Sequence, residues 1–337
     1  MRKALVVLLA LGAACLLAPV SSFAAQAAPI VLNVATFFPP QHAQAQALDA
    51  WGKEIEKRTG GKVKIMLHAG GTLGKGPEII DNVINGVADV GNSCFAYTRG
   101  RFPVMEAVDL PMGYPNGMVA SRVADAFAHQ VNPPELADVK LLYVHAHGPG
   151  LLHTKKPVKT LADIKGMKIR ATGLSAKVIE ALGGIPVAKE QGEAYEALQT
   201  GVVEGNITPI ESLKGWKQAE VIKSTTDCFS VGYTTAMFVV MNKDKWNKLP
   251  ADVQKVIEQV SAEWVSVHGA AWDKADADGR AFTKEKGNQI VTLSADESAK
   301  WRKAVDPVIS GYAKKSKNNA GYVKKVQELI KHYSSSK

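Results

Sequence analysis

The sequence predicts an α/β fold divided into two lobes. Residues 30–91 alternate strand and helix patterns in the order βαβαβ, which is typical of a parallel sheet covered by helices. The chain has 337 residues, and more than three hundred remain when an N-terminal export signal is removed. Since one hydrophobic core rarely serves so long a chain, we expect two lobes with a ligand cleft between them.

Residues 1–27 are predicted to be a secretory signal peptide. Arg2 and Lys3 form a short basic start, residues 4–17 are apolar, and small residues crowd the end of the segment. The apolar run is too short and wrongly flanked for a permanent membrane span. We therefore expect a cleaved signal and an exported protein.

Charge and cysteine content restrict the possible partners. The formal net charge is +9, but the lysines are spread along the chain, so no nucleic-acid partner is expected. A mildly basic face draws in small anions, or it is simply a solvated lysine-rich surface. Cys94 and Cys228 form either a pair or two buried thiols, and buried thiols are favoured because cysteine often packs as a small core hydrophobe.

The first lobe begins with strands at 30–36, 62–68 and 88–91, separated by helices at 42–58 and 76–86. The glycine-rich turn before the second helix lacks the spacing of a phosphate loop, so no nucleotide cofactor is expected. Side chains that follow the strand ends are candidates to line the cleft. These candidates are Phe38, Asn92 and Tyr97, and for both aromatic residues core packing is an equal alternative.

A further strand at 139–146 is followed by His147, Gly148, Pro149 and Gly150, where the chain is predicted to cross into the second lobe. Proline and glycine suit a hinge or a tight turn there, and His147 lies near the expected cleft. The predicted first lobe comprises residues 28–147 and 236–275. The second lobe comprises 148–235 and 276–310, and residues 311–337 form a C-terminal helix and tail.

Arg170 ends a short apolar strand that starts after a glycine turn. In open α/β sheets, ligands bind at the carboxyl ends of the strands. A guanidinium group stays charged at any working pH and holds a carboxylate, sulfonate or phosphate through two parallel hydrogen bonds. From the pattern alone, an ordinary surface arginine is the alternative.

The remaining elements follow from periodicity. Helices are expected at 175–182 and 193–201, a strand-rich segment at 225–241, and a strand at 289–293. A long helical pattern runs from about Leu249 toward Gly287, and two more helices follow at 296–314 and 320–333. Trp216 walls the cleft or, as the favoured alternative, packs in the core.

Three motifs in the second lobe carry a resemblance to a known family. They are Lys-Gly-Met-Lys-Ile-Arg at 165–170, Ala-Leu-Gly-Gly-Ile-Pro at 181–186, and Glu-Ala-Tyr-Glu-Ala-Leu-Gln-Thr-Gly at 193–201 with Val-Glu-Gly after it. The chain resembles the solute-binding proteins of tripartite ATP-independent periplasmic (TRAP) transporters, a family of C4-dicarboxylate, sialic acid and 2-oxoacid receptors. This resemblance implies a two-lobed periplasmic-binding-protein-like fold with a hinge and a long helix spanning both lobes. It also implies a periplasmic location and delivery of the solute to small and large membrane subunits.

The resemblance further implies roles for single residues. Arg170 matches the arginine that clamps the acid group of the solute, and Asn206 and Thr208 stand where relatives supply hydrogen bonds to that group. Gly150 falls where relatives that take larger or doubly charged solutes carry a second arginine, which implies a site with one strong cation. Gln191 falls where many relatives place a stacking aromatic ring, which argues against bulky flat solutes.

The expected function is a receptor for a small organic monoanion. One bidentate arginine with amide and hydroxyl donors suits a hydroxy-sulfonate such as isethionate, or a small hydroxy- or oxo-carboxylate. Aromatic acids come second and C4-dicarboxylates third. An exported hydrolase or lyase is the alternative from a different class. The sequence has no Gly-x-Ser-x-Gly elbow, metal-ligand cluster or spaced acid/base pair that would support an enzyme, and no cofactor is expected.

Overall fold

The structure is a computed structural model that describes residues 28–335. The predicted signal peptide, residues 1–27, lies outside the described residues. The chain forms two α/β lobes, each built on its own sheet, as the sequence predicts. None of the helices within residues 28–335 combines the length and apolar character that a membrane crossing demands.

Helices and strands alternate along most of the chain. The first part of the chain forms β1 (Ile30–Thr36), α1 (Ala43–Arg58), β2 (Val63–His68), α2 (Ile79–Ile84), β3 (Val90–Cys94), α3 (Gly117–Val131) and β4 (Val139–Ala146). The middle part forms β5 (Leu151–Thr154), α4 (Leu161–Ile164), β6 (Lys168–Ala171), α5 (Ser175–Ala181), β7 (Ile185–Ala188), α6 (Ala194–Gln199), β8 (Gly205–Thr208), α7 (Ser212–Gly215) and β9 (Ser224–Asp227). The last part forms β10 (Ala236–Asn242), α8 (Lys243–Asn247), α9 (Ala251–Glu285), β11 (Gln289–Thr292), α10 (Ala295–Ala313) and α11 (Asn319–Ser335).

The first lobe contains a five-stranded sheet in the order β2-β1-β3-β10-β4. Strand β1 pairs in parallel with β2 and with β3, which confirms the parallel arrangement predicted from the βαβαβ pattern. Strand β10 returns from the second lobe and inserts antiparallel between β3 and β4. The sheet is therefore completed by a segment far along the chain.

The second lobe contains a six-stranded sheet in the order β11-β9-β5-β8-β6-β7. Strands β7, β6 and β8 are parallel, so their carboxyl ends meet at one edge of the sheet, where ligands bind in such folds. Strand β5 is antiparallel to both β8 and β9. This order places β6 between β8 and β7, which decides what flanks the end of β6.

The chain passes between the lobes at three places. Residues 147–150 join β4 to β5, residues 228–235 join β9 to β10, and α9 runs along both lobes. Helix α9 packs on α1, α3 and β4 of the first lobe and on α7 and β11 of the second. The predicted long helix is therefore confirmed. The strands of each sheet fall inside the residue ranges predicted for its lobe, while the lobe boundaries themselves stay a prediction.

Cys94 and Cys228 are buried thiols, as predicted. Cys94 packs in the core of the first lobe and Cys228 in that of the second. Neither is in a disulfide. Burial raises the pKa of the Cys228 thiol to about 12, so this sulfur stays protonated and behaves as a small apolar group.

Candidate functional site

A small cavity lies between the two lobes, at the carboxyl ends of the parallel strands. Its volume is about 40 Å³. Both lobes and both connecting segments contribute to its wall. The lining residues are Phe37, Phe38, Cys94, Tyr97, His147, Arg170, Thr172, Gln191, Thr208, Pro209, Glu211, Ser212, Trp216, Tyr233, Thr235, Met237 and Trp272.

Arg170 reaches the cavity from the end of β6 and is only 3% exposed. Its Nε donates to the carbonyl oxygen of Lys189 at 2.9 Å, and its Nη1 lies 3.4 Å from Oδ1 of Asn206. Asn206 is the register partner of Arg170 on β8, which explains the contact. Within residues 28–335, no carboxylate forms an ion pair with this guanidinium.

Asn206 lies behind Arg170 and is not part of the cavity wall. It is fully buried, and its Nδ2 donates to Oε1 of Gln218 at 2.9 Å. The amide therefore orients the arginine, while its predicted contact with the solute stays a prediction. Thr208, in contrast, is part of the wall, where its hydroxyl lies 3.1 Å from that of Ser212.

Gln191 is the clearest unsatisfied polar side chain of the site. It follows β7, lines the cavity and is only 7% exposed. Neither its Oε1 nor its Nε2 has a hydrogen-bond partner. Its backbone N–H donates to the hydroxyl of Tyr97 in the first lobe at 3.1 Å, so the loop that carries Gln191 contacts both lobes.

Aromatic rings from both lobes form much of the apolar wall. Phe37 and Phe38 follow β1, and the ring of Phe37 stacks on that of Trp216 at 6.1 Å between centroids. Trp216 thus lies in the cavity wall, which was the less favoured of its two predicted placements. Tyr97 packs edge-on against Phe37 at 5.4 Å within the first lobe, and the contact of Phe37 with Trp216 joins the lobes beside the cavity.

Gly150 has a steric role next to the cavity. A side chain at this position would overlap the ring of Tyr233. The Tyr233 hydroxyl donates to the carbonyl oxygen of Ile207 at 2.8 Å, so the ring is fixed in place. The tyrosine ring therefore occupies the space that a second arginine would need.

His147 lines the cavity from the segment that joins the lobes. Its Nδ1 lies 2.5 Å from the carbonyl oxygen of Gly148. A carbonyl oxygen only accepts hydrogen bonds, so Nδ1 carries the hydrogen and Nε2 is left as an acceptor. Burial lowers the pKa of His147 to about 4, so the ring is neutral near pH 7.

Glu211 adds a buried carboxylate to the wall, between β8 and α7. Its Oε2 lies 3.0 Å from Nε2 of His42 in the first lobe, and its Oε1 accepts from the hydroxyl of Ser212 at 2.9 Å. His42 Nδ1 accepts from the backbone N–H of Gln44, so its Nε2 carries the hydrogen and donates to Glu211. This contact links the lobes beside the cavity.

Asn92 does not face the cavity, which corrects its predicted placement. It is fully buried inside the first lobe. Its Oδ1 accepts from the Thr36 hydroxyl at 3.0 Å, and its Nδ2 donates to the carbonyl oxygen of Phe238 at 3.1 Å and faces His145 Nε2 at 3.0 Å. These contacts hold the amide against the neighbouring strands, because β3 lies between β1 and β10.

The structure brings together most of the predicted site residues. Phe38, Tyr97, His147, Arg170, Gln191, Thr208 and Trp216 share the cavity wall, and their roles in binding stay predictions. Glu211, His42 and Trp272 were missed by sequence reasoning. Glu211 follows the end of β8, and the criterion that selects Arg170 at the end of β6 would have found it.

Comparisons with known proteins give a consistent result. The family model described as bacterial extracellular solute-binding protein, family 7, matches residues 34–316. The C4-dicarboxylate-binding periplasmic protein DctP of Rhodobacter capsulatus is 27% identical over 295 residues, which are 85% of this chain and 87% of that protein.

Two solved structures are also similar. A TRAP periplasmic solute-binding protein of Desulfovibrio salexigens is 30% identical with a TM-score of 0.81, over 92% of this chain and 98% of that one. A TRAP solute-binding protein of Rhodoferax ferrireducens, in complex with copurified benzoate, is 27% identical with a TM-score of 0.86, over 90% of this chain and 98% of that one.

Proposed function

Because this chain belongs to family 7 of the bacterial extracellular solute-binding proteins, we propose that it is the periplasmic receptor of a TRAP transporter for a small organic monoanion. The two lobes close around the solute, and the receptor delivers it to the small and large membrane subunits of the permease. The proposed solute is a hydroxy-sulfonate such as isethionate, or a small hydroxy- or oxo-carboxylate. In this role the protein makes and breaks no covalent bond.

The observation that carries the proposal is the buried guanidinium of Arg170, which has no ion-pair partner in the part of the chain that the structure describes. Its two hydrogen bonds to the protein go to neutral oxygens. An uncompensated buried charge is costly, and buried charges are normally paired. The negative group that pairs with this cation is therefore assigned to the solute.

The charges around the cavity favour one negative group over two. Arg170 is the one arginine among the described residues that line the cavity. A second arginine at position 150 would overlap the ring of Tyr233. His147, with a pKa of about 4, supplies no positive charge near pH 7. Glu211 would repel a second carboxylate of the solute, since like charges a few ångströms apart interact unfavourably at low dielectric constant.

The size of the cavity favours aliphatic solutes. An apolar cavity of about 150 Å³ holds a benzene molecule, whereas the cavity between the lobes measures about 40 Å³. An acid with two or three carbon atoms is the better match. Aromatic monocarboxylates are the second candidate because aromatic rings line the wall, but they require Phe37, Trp216 or Tyr97 to move apart.

Closure of the lobes follows from contacts that the solute makes with both of them. Contacts in and beside the cavity wall already join the lobes, through Tyr97 with the Gln191 backbone and through His42 with Glu211. A solute bound to Arg170 in the second lobe and to first-lobe side chains stabilises the closed state by its differential contacts. The permease then receives the solute from this bound and closed form.

A ligand screen by thermal unfolding tests this function. Isethionate, lactate, pyruvate, benzoate and succinate are compared with glycerol as a neutral control. A ligand at a hundred times its Kd stabilises the native state by about 2.7 kcal/mol, which corresponds to roughly 4 °C in Tm for a chain of this length. We expect the aliphatic monoanions to raise Tm most.

Each other result has a defined meaning. A larger shift with benzoate selects the aromatic candidate, and a larger shift with succinate overturns the monoanion assignment. No shift with any anion overturns the receptor proposal. Chemical conversion of a bound solute, followed by NMR, would instead support the hydrolase or lyase alternative.

A further inference from the structure

The cavity has two chemically different sides, and the order of the strands creates them. Strand β6 carries Arg170 and lies between β7 and β8. Gln191 follows β7 on one side, and Glu211 follows β8 on the other. His147 belongs to the side of Glu211, because it precedes β5 and β5 pairs with β8. Charged and polar groups therefore flank the arginine asymmetrically.

The side of β6 and β7 supplies donors. The guanidinium of Arg170 has N–H groups that no described residue accepts, and the amide of Gln191 has no partner for its Nε2 or its Oε1, so donors outnumber acceptors here. An acid group of the solute needs several N–H donors. This side therefore accommodates the negative end of the solute.

The side of β5 and β8 supplies acceptors. Nε2 of His147 carries no hydrogen, because Nδ1 donates to Gly148, and within residues 28–335 no side chain or backbone group donates to it. The Glu211 carboxylate receives one hydrogen bond at each oxygen, from His42 and from Ser212. Each carboxylate oxygen has two lone-pair sites, so Glu211 retains acceptor capacity toward the cavity.

Buried acceptors without donors are costly in a folded protein. Glu211 is 3% exposed and His147 is 4% exposed, so both acceptors are largely removed from bulk solvent. A solute that brought another acceptor, such as a carbonyl oxygen, to this side would leave His147 Nε2 without a donor and would be repelled by the Glu211 carboxylate. A solute that brought a donor would satisfy them.

We propose that the solute carries a hydrogen-bond donor, a hydroxyl or an ammonium group, outside its acid group and directed to the side of β5 and β8. His147 Nε2 and the Glu211 carboxylate accept from this donor, which makes them the residues that determine specificity. The inference rests on the proposed receptor function and narrows its solute class. Hydroxy-acids are then preferred over oxo-acids of the same length.

Two matched ligand series test the inference on the unaltered protein. Lactate, alanine, pyruvate and propionate share a three-carbon carboxylate, and only the first two carry a donor. Isethionate, taurine and ethanesulfonate form the equivalent sulfonate series. We expect the donor-bearing members to bind at least tenfold to a hundredfold tighter by calorimetry, because a site built to hydrogen-bond a group rejects analogues that lack it. Comparing lactate with alanine, and isethionate with taurine, shows whether the site prefers a hydroxyl or an ammonium donor.

Variants then locate the acceptors. His147→Phe removes the Nε2 acceptor and keeps a ring, so the ratio of lactate to propionate affinity should fall at least tenfold while propionate binding persists. His68→Phe is the matched control, because His68 lies on edge strand β2 outside the cavity wall, and it should leave the ratio unchanged. Glu211→Gln should weaken an ammonium ligand more than a hydroxyl ligand.

The outcomes separate this inference from the function on which it rests. If donor-bearing and donor-free acids bind equally and both depend on Arg170, the receptor function stands and the inference is overturned. If pyruvate or ethanesulfonate binds tightest, the inference is also overturned. If no acid of either series binds, the receptor function for small anions fails first.

Discussion

Two buried clusters of polar side chains differ in one respect, which is how completely they are hydrogen-bonded. The first, the core network, lies inside the first lobe and consists of Thr36, Gln44, Asn92, Tyr143, His145, His268 and Trp272, of which Trp272 also reaches the cavity wall. The second, the cleft cluster, lies in the cavity wall and consists of His147, Arg170, Gln191 and Glu211. Every one of these side chains is buried.

The core network is almost saturated by its own members. The indole N–H of Trp272 donates to His145 Nδ1 at 3.1 Å, and the Tyr143 hydroxyl lies 3.1 Å from His268 Nε2. The rings of His145 and His268 stack at 4.1 Å between centroids. Nε2 of Gln44 is its one buried side-chain atom with no polar partner within hydrogen-bond distance. A network this complete holds the sheet against α9 and has little capacity left for a ligand.

The cleft cluster is incomplete by the same criterion. Arg170 has no counter-charge, Gln191 has no side-chain partner, and His147 Nε2 has no donor in the described chain. Burial alone is therefore a poor guide to function. The contrast supports the proposal that the cleft cluster binds the solute, because the solute would supply its missing partners.

The largest expected effect comes from breaking the cleft cluster at Arg170. For Arg170→Ala we expect Kd to rise at least about a hundredfold, since stranding a buried anion costs about 3 kcal/mol or more. The Tm of the unliganded protein should stay level or rise, because an unpaired buried cation is removed. Calorimetry and thermal unfolding measure both. Arg170→Lys keeps the charge without the planar fork and should be intermediate. Unchanged affinity in the alanine variant would remove the clamp from the mechanism.

Breaking the core network should lower stability and leave solute affinity unchanged, which is the reverse of the pattern for Arg170. Asn92→Ala removes the partner of the Thr36 hydroxyl and of the Phe238 carbonyl oxygen, so the free energy of unfolding should fall by about 1–3 kcal/mol. The Kd of the folded fraction should not change. Asn318→Ala is the control, because that side chain is exposed. A loss of affinity at full stability would return Asn92 to the binding site.

Acidification affects histidines of both clusters in the same direction. Burial lowers the pKa of His147 to about 4 and that of His268 to about 3. An unfolded histidine binds a proton below about pH 6.5, so unfolding takes up protons and stability is lost as pH falls from about 6.5 toward 4.

The His147→Phe variant isolates the contribution of His147 to the pH dependence of stability. Burial raises the pKa of Asp276 to about 8, and that carboxyl opposes the trend because the native state holds its proton. Its contribution cancels when wild type and His147→Phe are compared. Chemical denaturation at pH 7 and pH 5 should show about 1–2 kcal/mol less acid-induced loss in the variant. Equal losses in the two proteins would mean that His147 titrates normally in the native state.

The smallest expected effect comes from replacing glutamine by leucine, once in each cluster. Gln191→Leu removes an amide that has no partner, so the unliganded protein should gain up to about 1 kcal/mol of stability while solute affinity falls about tenfold. Gln44→Leu removes the contact of Gln44 Oε1 with His268 Nδ1 and should destabilise without changing affinity. Urea unfolding and calorimetry on both variants check the contrast. If Gln191→Leu also destabilises, its amide is satisfied in solution and the two clusters are alike.

Much of the fold follows from local sequence. The strand ranges 30–36 and 139–146 agree with β1 and β4, and the long amphipathic pattern agrees with α9. Arg170 could be selected because a glycine turn and a short apolar run place it at a strand end. Helix α3 has no counterpart among the predicted elements, and neither does β5. A four-residue strand such as β5 is too short for periodicity to identify.

The site itself was only partly predictable. Asn92 and Asn206 were both expected to face the cleft, because each is polar and near a strand end. The Asn92 amide instead contacts His145 of β4, and the Asn206 amide contacts Arg170 of β6 and Gln218, which lies between α7 and β9. The position of Glu211 after a strand does not reveal its partner, because its contact with His42 joins residues 169 positions apart.

The α/β alternation, the long helix and the arginine at the end of β6 follow from the sequence alone, because they depend on periodicity and on residues close along the chain. Only the assembled fold decided which polar groups share the cavity and which of them remain unpaired. Hydrogen-bond saturation depends on partners brought together by strand order, by the insertion of β10 and by the meeting of the two lobes. No local pattern encodes that outcome, since the same asparagine or glutamine satisfies its amide in one environment and leaves it free in another.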